Sequence, residues 1–303
     1  MEKAMARPDT SKIIRTAFEK GIVVPGFNIP YLPMMEPVVR ALHDCNSFGL
    51  IMVANLEFHK FEARSLKAIR DEYEKVKDEK HTRLHLDHVP VVDEDDRRID
   101  FLSIIGQALQ LGYESVMVDG SRLSLDENIE TTALVVQLTA EAVPVEAELG
   151  AVMGHEAGPL PPYEELFLSR KGFTAPEDTT RFVRESACSW LSVAVGNIHG
   201  AISAAGKQKD KPLARIDIDH LNRLKAAANI PLVLHGGSGI PKEYIQKAVA
   251  SGIAKINVAT AIRQPYERNL EKGIKTAQNA VYETTCELLK SELSIGNSAN
   301  FFK

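Results

Sequence analysis

Residues 231–260 read PLVLHGGSGIPKEYIQKAVASGIAKINVAT and contain one complete strand–helix–strand pattern. Two short apolar runs, Pro231–His235 and Ala254–Val258, have the composition of buried strands. Between them, Lys242–Ala250 has the periodicity of a helix that buries one face, with Pro241 suited to its first turn and Gly252 to its end. The stretch therefore predicts a β–α–β unit with parallel strands.

The same alternation extends back through the rest of the chain. Six further apolar runs are candidate strands: Ile22–Phe27, Leu50–Ala54, Arg83–Asp87, Ser115–Asp119, Val143–Glu148 and Leu191–Val195. Helical periodicity is clearest over Met34–Cys45, Phe101–Leu111 and Glu127–Ala140. Two pairs have the spacing of capping boxes: Ser124 with Glu127, and Thr174 with Glu177.

Eight alternations without an obvious linker predict a single domain across residues 1–303, an α/β fold of the (β/α)8 TIM-barrel class. An extra N-terminal helix near Ser11–Lys20 and a helical C-terminal extension after Thr260 complete the prediction. The alternative is an open, doubly wound sheet, which should carry a glycine-rich dinucleotide turn after its first strand. No such turn follows the first strand here.

Composition narrows the class of protein. The chain has 303 residues, of which 44% are hydrophobic, and this excludes general disorder. Its 36 basic and 41 acidic side chains give a net charge of −5, which argues against binding to nucleic acid or to an anionic membrane surface. No apolar run approaches the ~18 residues of a membrane span. Three widely spaced cysteines offer neither a disulfide framework nor a CxxC motif, so we expect a cytoplasmic protein.

In a TIM barrel, the side chains at the carboxyl ends of the strands build the active site. Here these positions are unusually polar. In chain order they are Asn28, Asn55, Asp87 with His88, Asp119, Glu146 with Glu148, Asn197 with His199, His235, and Asn257.

Three histidines at three different strand ends, His88, His199 and His235, could converge on one metal ion. His85 competes with His88 as a ligand, because strand alternation places His85 and Asp87 on one face and His88 on the other. A strand end that turns into its loop could instead aim Asp87 and His88 at one site, leaving His85 to fill a barrel layer. The residues alone leave this choice open.

Other charged groups suggest further roles. Glu146 and Glu148 share a strand face, where one could bind the metal and the other form an ion pair inside the barrel. Lys255, early in the last strand, is interpreted as a structural ion-pair partner, which argues against Schiff-base chemistry. The glycine-rich turn after strand seven and the start of the helix after strand eight lie where barrels commonly bind phosphate.

Six segments together resemble the class II, zinc-dependent ketose-bisphosphate aldolases, a family that includes fructose-bisphosphate and tagatose-bisphosphate enzymes. The likeness runs in order from about Val24 to Thr260. The segments are Leu84–His88, Ser115–Ser121, Val145–Gly150, Gly196–Gly200, Leu232–Gly239 and Lys255–Thr260.

The resemblance implies reversible cleavage of a ketose phosphate into dihydroxyacetone phosphate and an aldehyde. By position, His88, His199 and His235 correspond to the zinc ligands and Glu148 to a ligand of an alternative metal position. Asp87 corresponds to the acid that protonates the aldehyde oxygen, and Glu156 to the residue that moves the proton on the donor carbon. The implied substrate and phosphate contacts are Asn28, Asn55, Gly200, Gly236, Ser238, Asn257 and Thr260. Cobalt or iron could replace zinc, since histidine suits several such metals.

Some positions depart from the family pattern. Asn55 stands where many members have serine, and Ala259 replaces an aspartate of typical fructose-bisphosphate enzymes, as in the tagatose-bisphosphate branch. Arg263 is a candidate for binding the phosphate at the acceptor end of the substrate. The alternative interpretation is that Arg263 lies on the surface of a helix. The resemblance also implies a homodimer or homotetramer. A metal-dependent hydrolase on the same barrel and a non-catalytic aldolase-like subunit are the competing interpretations.

Overall fold

Eight parallel strands close into a barrel in which each strand pairs with the next and β8 pairs with β1. The computed structural model describes residues 8–153, 161–199 and 214–302. The strands are β1 (Val24–Asn28), β2 (Gly49–Ala54), β3 (Thr82–Pro90), β4 (Ser115–Asp119), β5 (Val145–Leu149), β6 (Trp190–Val193), β7 (Leu232–Leu234) and β8 (Ile253–Val258). The predicted (β/α)8 architecture is confirmed, and the open-sheet alternative is wrong.

Helices follow the strands around the outside of the barrel. They are α1 (Thr10–Lys20), α2 (Met35–Asp44), α3 (Glu57–Lys60), α4 (Leu66–Val76), α5 (Phe101–Gln110), α6 (Leu125–Leu138), α7 (Tyr163–Ser169), α8 (Pro176–Ser186), α9 (Ile218–Ala228), α10 (Lys242–Ala250), α11 (Thr260–Asn269) and α12 (Ile274–Glu287). The predicted N-terminal helix is α1, and the predicted helical extension begins with α11 and continues through α12. None of these helices combines the length and the apolar character that crossing a bilayer demands.

One predicted capping box is confirmed and the other is wrong. Ser124 and Glu127 exchange side-chain-to-backbone hydrogen bonds at the start of α6. Thr174 does not cap α8, whose N-cap is Ala175. Instead, the Thr174 hydroxyl donates to the carbonyl of Leu149 and accepts from the backbone N–H of Ala194, 2.9 Å away. Thr174 therefore ties the ends of β5 and β6 together.

The N-terminal end of the barrel is closed by apolar side chains of α1. Ile13, Ile14 and Ala17 pack against the inward-facing residues of the strands, in a cluster that also contains Trp190 and Phe302. These helix residues are almost fully buried. This apolar cluster therefore closes the N-terminal end of the barrel, opposite the polar residues at the carboxyl ends of the strands.

Truncating Ile14 tests the packing of this apolar cluster. The side chain is fully buried, so Ile14→Ala should lower the free energy of unfolding by about 2–5 kcal/mol through lost burial and a new cavity. Ile274→Ala is the matched control, because Ile274 is 50% exposed. Urea unfolding followed by circular dichroism measures both variants. Equal losses in the two would contradict the proposed packing.

Candidate active site

The end of β3 brings Asp87 and His88 to the same site. Pairing with β4 shifts register between Leu86 and Val89, so the strand bulges at this point. His88 adopts a φ of +36°, a strained conformation for a non-glycine residue that the bulge imposes. Simple alternation would send His88 to the outside of the barrel; the bulge turns it toward the mouth instead.

His85 lies in the barrel interior and is not part of the histidine cluster at the mouth. It is fully buried, and its Nδ1 is 2.8 Å from the hydroxyl of Ser115. Burial, together with the nearby Lys255 ammonium, lowers the pKa of His85 to about 3, so the ring is neutral at physiological pH. Of the two interpretations open from the sequence, the structure favours the one in which His85 fills a barrel layer.

His88, His199 and His235 converge at the mouth. The ring centroids of His88 and His235 lie 4.4 Å apart, those of His88 and His199 5.3 Å, and those of His199 and His235 6.0 Å. One ring nitrogen from each histidine lies within 4.8 Å of the other two. This separation allows all three to ligate a single ion.

Outer carboxylates orient two of these rings. Asp119 Oδ2 is 3.1 Å from Nδ1 of His88, and Glu146 Oε1 is 2.8 Å from Nε2 of His235. Among the described residues, the opposite nitrogens, Nε2 of His88 and Nδ1 of His235, are buried and have no hydrogen-bond partner. A carboxylate behind each ring, with the other nitrogen left for the ion, is the arrangement that metal-binding histidines adopt.

The electrostatic field at the three histidines favours a cation. Burial lowers the pKa of His88, but Asp87, Asp119 and Glu148 outweigh it and raise that pKa to about 10. The pKa of His235 is also raised, because Glu146 and Glu148 outweigh the effects of burial and of His88. A pocket that favours extra positive charge this strongly suits a divalent metal as well as protons. The residues present therefore fit a metal centre.

Glu148 lies beside the cluster, where it could take part in metal binding. Its Oε2 is 3.1 Å from Nδ1 of His235, without the direction of a hydrogen bond, and accepts from the hydroxyl of Ser192 at 3.3 Å. Glu148 also forms a second ligand-like group with His88 and Asp119. Its predicted role at an alternative metal position is compatible with this placement and stays a prediction.

Asp87 is an ionised carboxylate held by two amides. Asn28 Nδ2 donates to one oxygen and Asn257 Nδ2 to the other, each at 3.0 Å. Burial alone would raise the pKa of Asp87, but His88, Lys255 and the other imidazoles lower it to about 2. The base form is therefore fixed in place beside the histidine cluster.

Beneath the mouth, Glu146 and Lys255 form a buried ion pair, with Lys255 Nζ 2.9 Å from Glu146 Oε2. The ammonium also donates to Oδ1 of Asn257 at 2.7 Å. The indole N–H of Trp190 donates to Glu146 at 2.6 Å. The interpretation of Lys255 as a structural ion-pair partner agrees with these contacts.

Glu57, the first residue of α3, is a buried acid that the pattern of polar residues at strand ends does not indicate. Its buried carboxylate accepts from the backbone N–H of Ala54 at 2.8 Å and lies near Asn28, the residue that holds Asp87. Burial raises the pKa of Glu57 to about 8, and the nearby Asp87 charge adds to the shift. A buried acid is thus placed directly behind the Asn28–Asp87 pair.

The loops after β7 and β8 lie together at the mouth. Gly236 has a φ of +61°, and a Cβ there would lie 2.0 Å from the carbonyl oxygen of Ile198, so only glycine fits. Ser238 Oγ accepts from the N–H of Ala261 at 3.3 Å, which places it at the start of α11 beside Thr260. Backbone amides at a helix start suit an anion.

Asn257 and Asn55 both form hydrogen bonds within the protein. Asn257 uses its amide on Asp87 and Lys255, so the structure gives it a positioning role that the sequence did not predict. Asn55 lies at the end of β2, where its N–H donates to the carbonyl of His88 at 3.2 Å. The substrate contacts predicted for both stay predictions.

Arg263 is not the surface residue of the alternative interpretation. It is only 5% exposed, its Nη1 donates to Glu267 Oε2 at 2.6 Å, and its guanidinium lies 5.3 Å from the centre of the Phe61 ring. Glu267 also accepts from the hydroxyl of Tyr31 at 2.8 Å. The charge of Arg263 is therefore balanced within the protein. Glu156 and Gly200 lie outside the described residues.

A cavity of about 180 Å³ opens beside the cluster. Its lining includes His88, His199, Glu148 and Asp119 from the candidate metal centre, together with Ser121 and Arg122. The space is large enough for a small, polar substrate to reach the candidate metal centre.

A closed β/α barrel with three convergent histidines at its carboxyl end is typical of metal-dependent barrel enzymes. The family model described as fructose-bisphosphate aldolase class-II matches residues 8–297. The chain belongs to this family, and its enzymes are lyases.

Individual relatives agree. The fructose-bisphosphate aldolases of Streptococcus pneumoniae TIGR4 and Streptococcus pyogenes serotype M1 are 31% and 32% identical to it over 263 residues, which are 84% of this chain and 80% of each relative. The YdjI aldolase of Escherichia coli K12 superposes with a TM-score of 0.74 at 25% identity, covering 96% of this chain and 98% of that one. A putative aldolase from Coccidioides immitis, with a TM-score of 0.75 at 23% identity and the same coverage, shares the fold.

Asp119→Asn tests the carboxylate behind His88. The weaker acceptor should leave the ring less basic, so zinc affinity should fall by about 10–100-fold. Competition against a chromogenic chelator measures the change. Asp126→Asn, on the exposed face of α6, is the control and should bind zinc as the parent does. Unchanged affinity in Asp119→Asn would remove the case for His88 as a ligand.

Glu57→Gln tests the buried acid. Because the folded-state pKa of Glu57 is raised from 4.5 to about 8, its contribution to stability is complete below pH 4.5 and is lost as the pH rises toward 8. The limiting slope is about 1.4 kcal/mol per pH unit. Glu57→Gln should flatten this part of the profile of unfolding free energy against pH. Glu130→Gln, on the exposed face of α6, should not, and identical profiles for both variants would contradict the assignment.

Proposed function

We propose that this chain is a zinc-dependent aldolase that reversibly cleaves a ketose phosphate into dihydroxyacetone phosphate and an aldehyde. The family supports aldolase activity. The observation that carries the finer proposal is the convergence of His88, His199 and His235 beside the ionised Asp87. In this proposal His88 Nε2, His235 Nδ1 and one nitrogen of His199 bind the metal, with Glu148 as the ligand of an alternative position.

Three imidazoles and open positions suit catalytic zinc, although cobalt or iron could occupy the same donors. When bound, the ion acts as a Lewis acid that stabilises the negative charge developing on the donor oxygens. Asp119 and Glu146 contact the outer nitrogen of His88 and of His235, which leaves the other nitrogen of each ring for the metal. They thereby fix the orientation of the ligand set before substrate binds.

Asp87 is proposed to move the proton on the oxygen next to the bond that breaks. Its ionised form can accept the proton of that hydroxyl during cleavage and return it to the aldehyde oxygen during condensation. Asn28 and Asn257 grip both of its oxygens, so the carboxylate cannot rotate away. Glu156 is proposed to move the proton on the donor carbon, as the family resemblance implies.

The donor phosphate is proposed to bind where the loops after β7 and β8 meet. Gly236 allows a close approach of the backbone, and Ser238 and Thr260 flank the start of α11. Gly200, Asn257 and Asn55 complete the proposed substrate contacts. Cytoplasmic location and a homodimer or homotetramer remain predictions.

The deciding experiment is aldol cleavage and condensation by metal-loaded protein, with dihydroxyacetone phosphate and a panel of phosphorylated and unphosphorylated aldehydes. Asp87→Ala should retain zinc but lose about 10²–10⁴-fold in kcat, because the positioned proton acceptor is gone. Removing the metal should abolish turnover, and returning zinc should restore it.

Asp71→Ala, which changes an exposed carboxylate on α4, is the control and should match the parent. Zinc content and thermal unfolding are measured for every variant so that a loss of folding is recognised. Full activity after chelation, or a zinc-loaded Asp87→Ala enzyme with the parental rate, would overturn the mechanism. Hydrolysis of sugar phosphates without aldol cleavage would support the hydrolase interpretation instead.

A further inference from the structure

A second histidine–carboxylate cluster lies at the N-terminal end of the barrel, opposite the mouth. His43 is in the last turn of α2, and Asp78 and His81 lie in the turn between α4 and β3. Since β3 starts at Thr82, this cluster sits beside the beginning of the strand whose other end carries Asp87 and His88. The proposed aldolase reaction uses none of its members.

The geometry of this cluster could hold a metal ion. Nδ1 of His43 and Nδ1 of His81 each lie 2.8 Å from the same oxygen, Oδ2 of Asp78. All three possible ligand atoms lie within 4.8 Å of one another. The two rings are 5.3 Å apart between centroids and are inclined by 68°, so both nitrogens can face a common point.

Neighbouring amides fix which nitrogen of His81 carries hydrogen. Asn46 donates through Nδ2 to Asn297 Oδ1 at 3.3 Å, and its Oδ1 accepts from Lys80 Nζ at 2.8 Å. Nε2 of His81, 3.2 Å from that same Oδ1, must therefore be the donor. In the neutral ring this leaves the lone pair of Nδ1 facing the site.

That lone pair would face a carboxylate oxygen at 2.8 Å. Two electron-rich atoms at this distance repel unless a positive centre lies between or beside them. Nδ1 of His81 is also buried and, among the described residues, has no partner in hydrogen-bond geometry. The arrangement calls for either an added proton or a metal ion.

The carboxylate is ionised and ready to bind a cation. Burial raises the pKa of Asp78, but the neighbouring His43 and His81 rings and the hydrogen bond from the backbone N–H of Lys80 outweigh it and lower that pKa to about 2. His81 is buried with 4% of its side chain exposed, while 63% of the His43 side chain is exposed. One ligand is thus pre-organised and another is open to solvent, which gives an ion a route in from solution.

We infer that His43, Asp78 and His81 form a second binding site for a divalent transition metal of the zinc class, separate from the catalytic centre. Two imidazoles and one carboxylate favour zinc, cobalt or nickel over magnesium or calcium. The bound ion would link α2 to the α4–β3 turn and would leave at least one coordination position for water. Its role is structural, since it lies at the opposite end of the barrel from the substrate cavity.

Zinc stoichiometry of the whole protein tests the inference. The parent and variants are equilibrated at neutral pH with zinc in excess, passed into zinc-free buffer, and measured by inductively coupled plasma mass spectrometry. The parent should carry one more zinc ion per chain than His43→Ala, and the two proteins should cleave substrate at equal rates. His59→Ala, which removes another exposed histidine, on α3, should keep the parental zinc content.

Thermal unfolding gives a second readout that does not depend on activity. Once the catalytic centre is filled, further zinc should raise the Tm of the parent and of His59→Ala, because the ion binds the folded state. His43→Ala and Asp78→Asn should show no further rise. Equal zinc content and equal Tm shifts in parent and His43→Ala would show an adventitious ion only, and would overturn the inference. Neither result bears on the aldolase proposal, which the catalytic assay tests separately.

Discussion

The buried carboxylate of Glu146 is the contact on which the candidate site depends. It accepts from the Trp190 indole, pairs with the Lys255 ammonium and holds the His235 ring. These contacts join β5, β6, β7 and β8 at one depth in the barrel. A charge without solvent is costly unless it is paired, and here the cations outweigh the effect of burial and keep the pKa of Glu146 well below its usual range. Any change that removed Glu146 would leave Lys255 with the more distant carboxylate of Asp87, 3.9 Å from its Nζ, and would free His235 to turn.

The bulge in β3 allows two adjacent side chains to reach the same site. A regular strand cannot send two adjacent side chains into one barrel, because successive residues point to opposite faces. The shifted register and the positive φ of His88 bring Asp87 and His88 together. The strain is held in place by the contacts on both sides: Asp119 holds the His88 ring, and Asn28 and Asn257 hold the Asp87 carboxylate.

Much of this architecture could be predicted from the sequence, because strand and helix periodicities depend on burial and recur along the chain. Ser115–Asp119 and Lys242–Ala250 have the predicted bounds. The histidine cluster could be predicted too, because the carboxyl ends of all barrel strands meet at one end and bring their polar side chains together. The choice between His85 and His88 required the bulge, which no local pattern reveals. Thr174 had the spacing of a cap, yet its hydroxyl is used by β5 and β6. Glu57 and the amide partners of Asp87 depend on contacts between distant strands, which spacing along the chain does not encode.

The sequence contains one tryptophan, Trp190, and it is buried with its N–H on the carboxylate that holds His235. Its emission therefore comes from a single environment, two hydrogen bonds away from the nitrogen proposed to face the ion. Loading or emptying the proposed centre would change the electric field at that indole. The single tryptophan would thus serve as an intrinsic optical reporter of the proposed metal centre, whose occupancy fluorescence could follow without any attached dye.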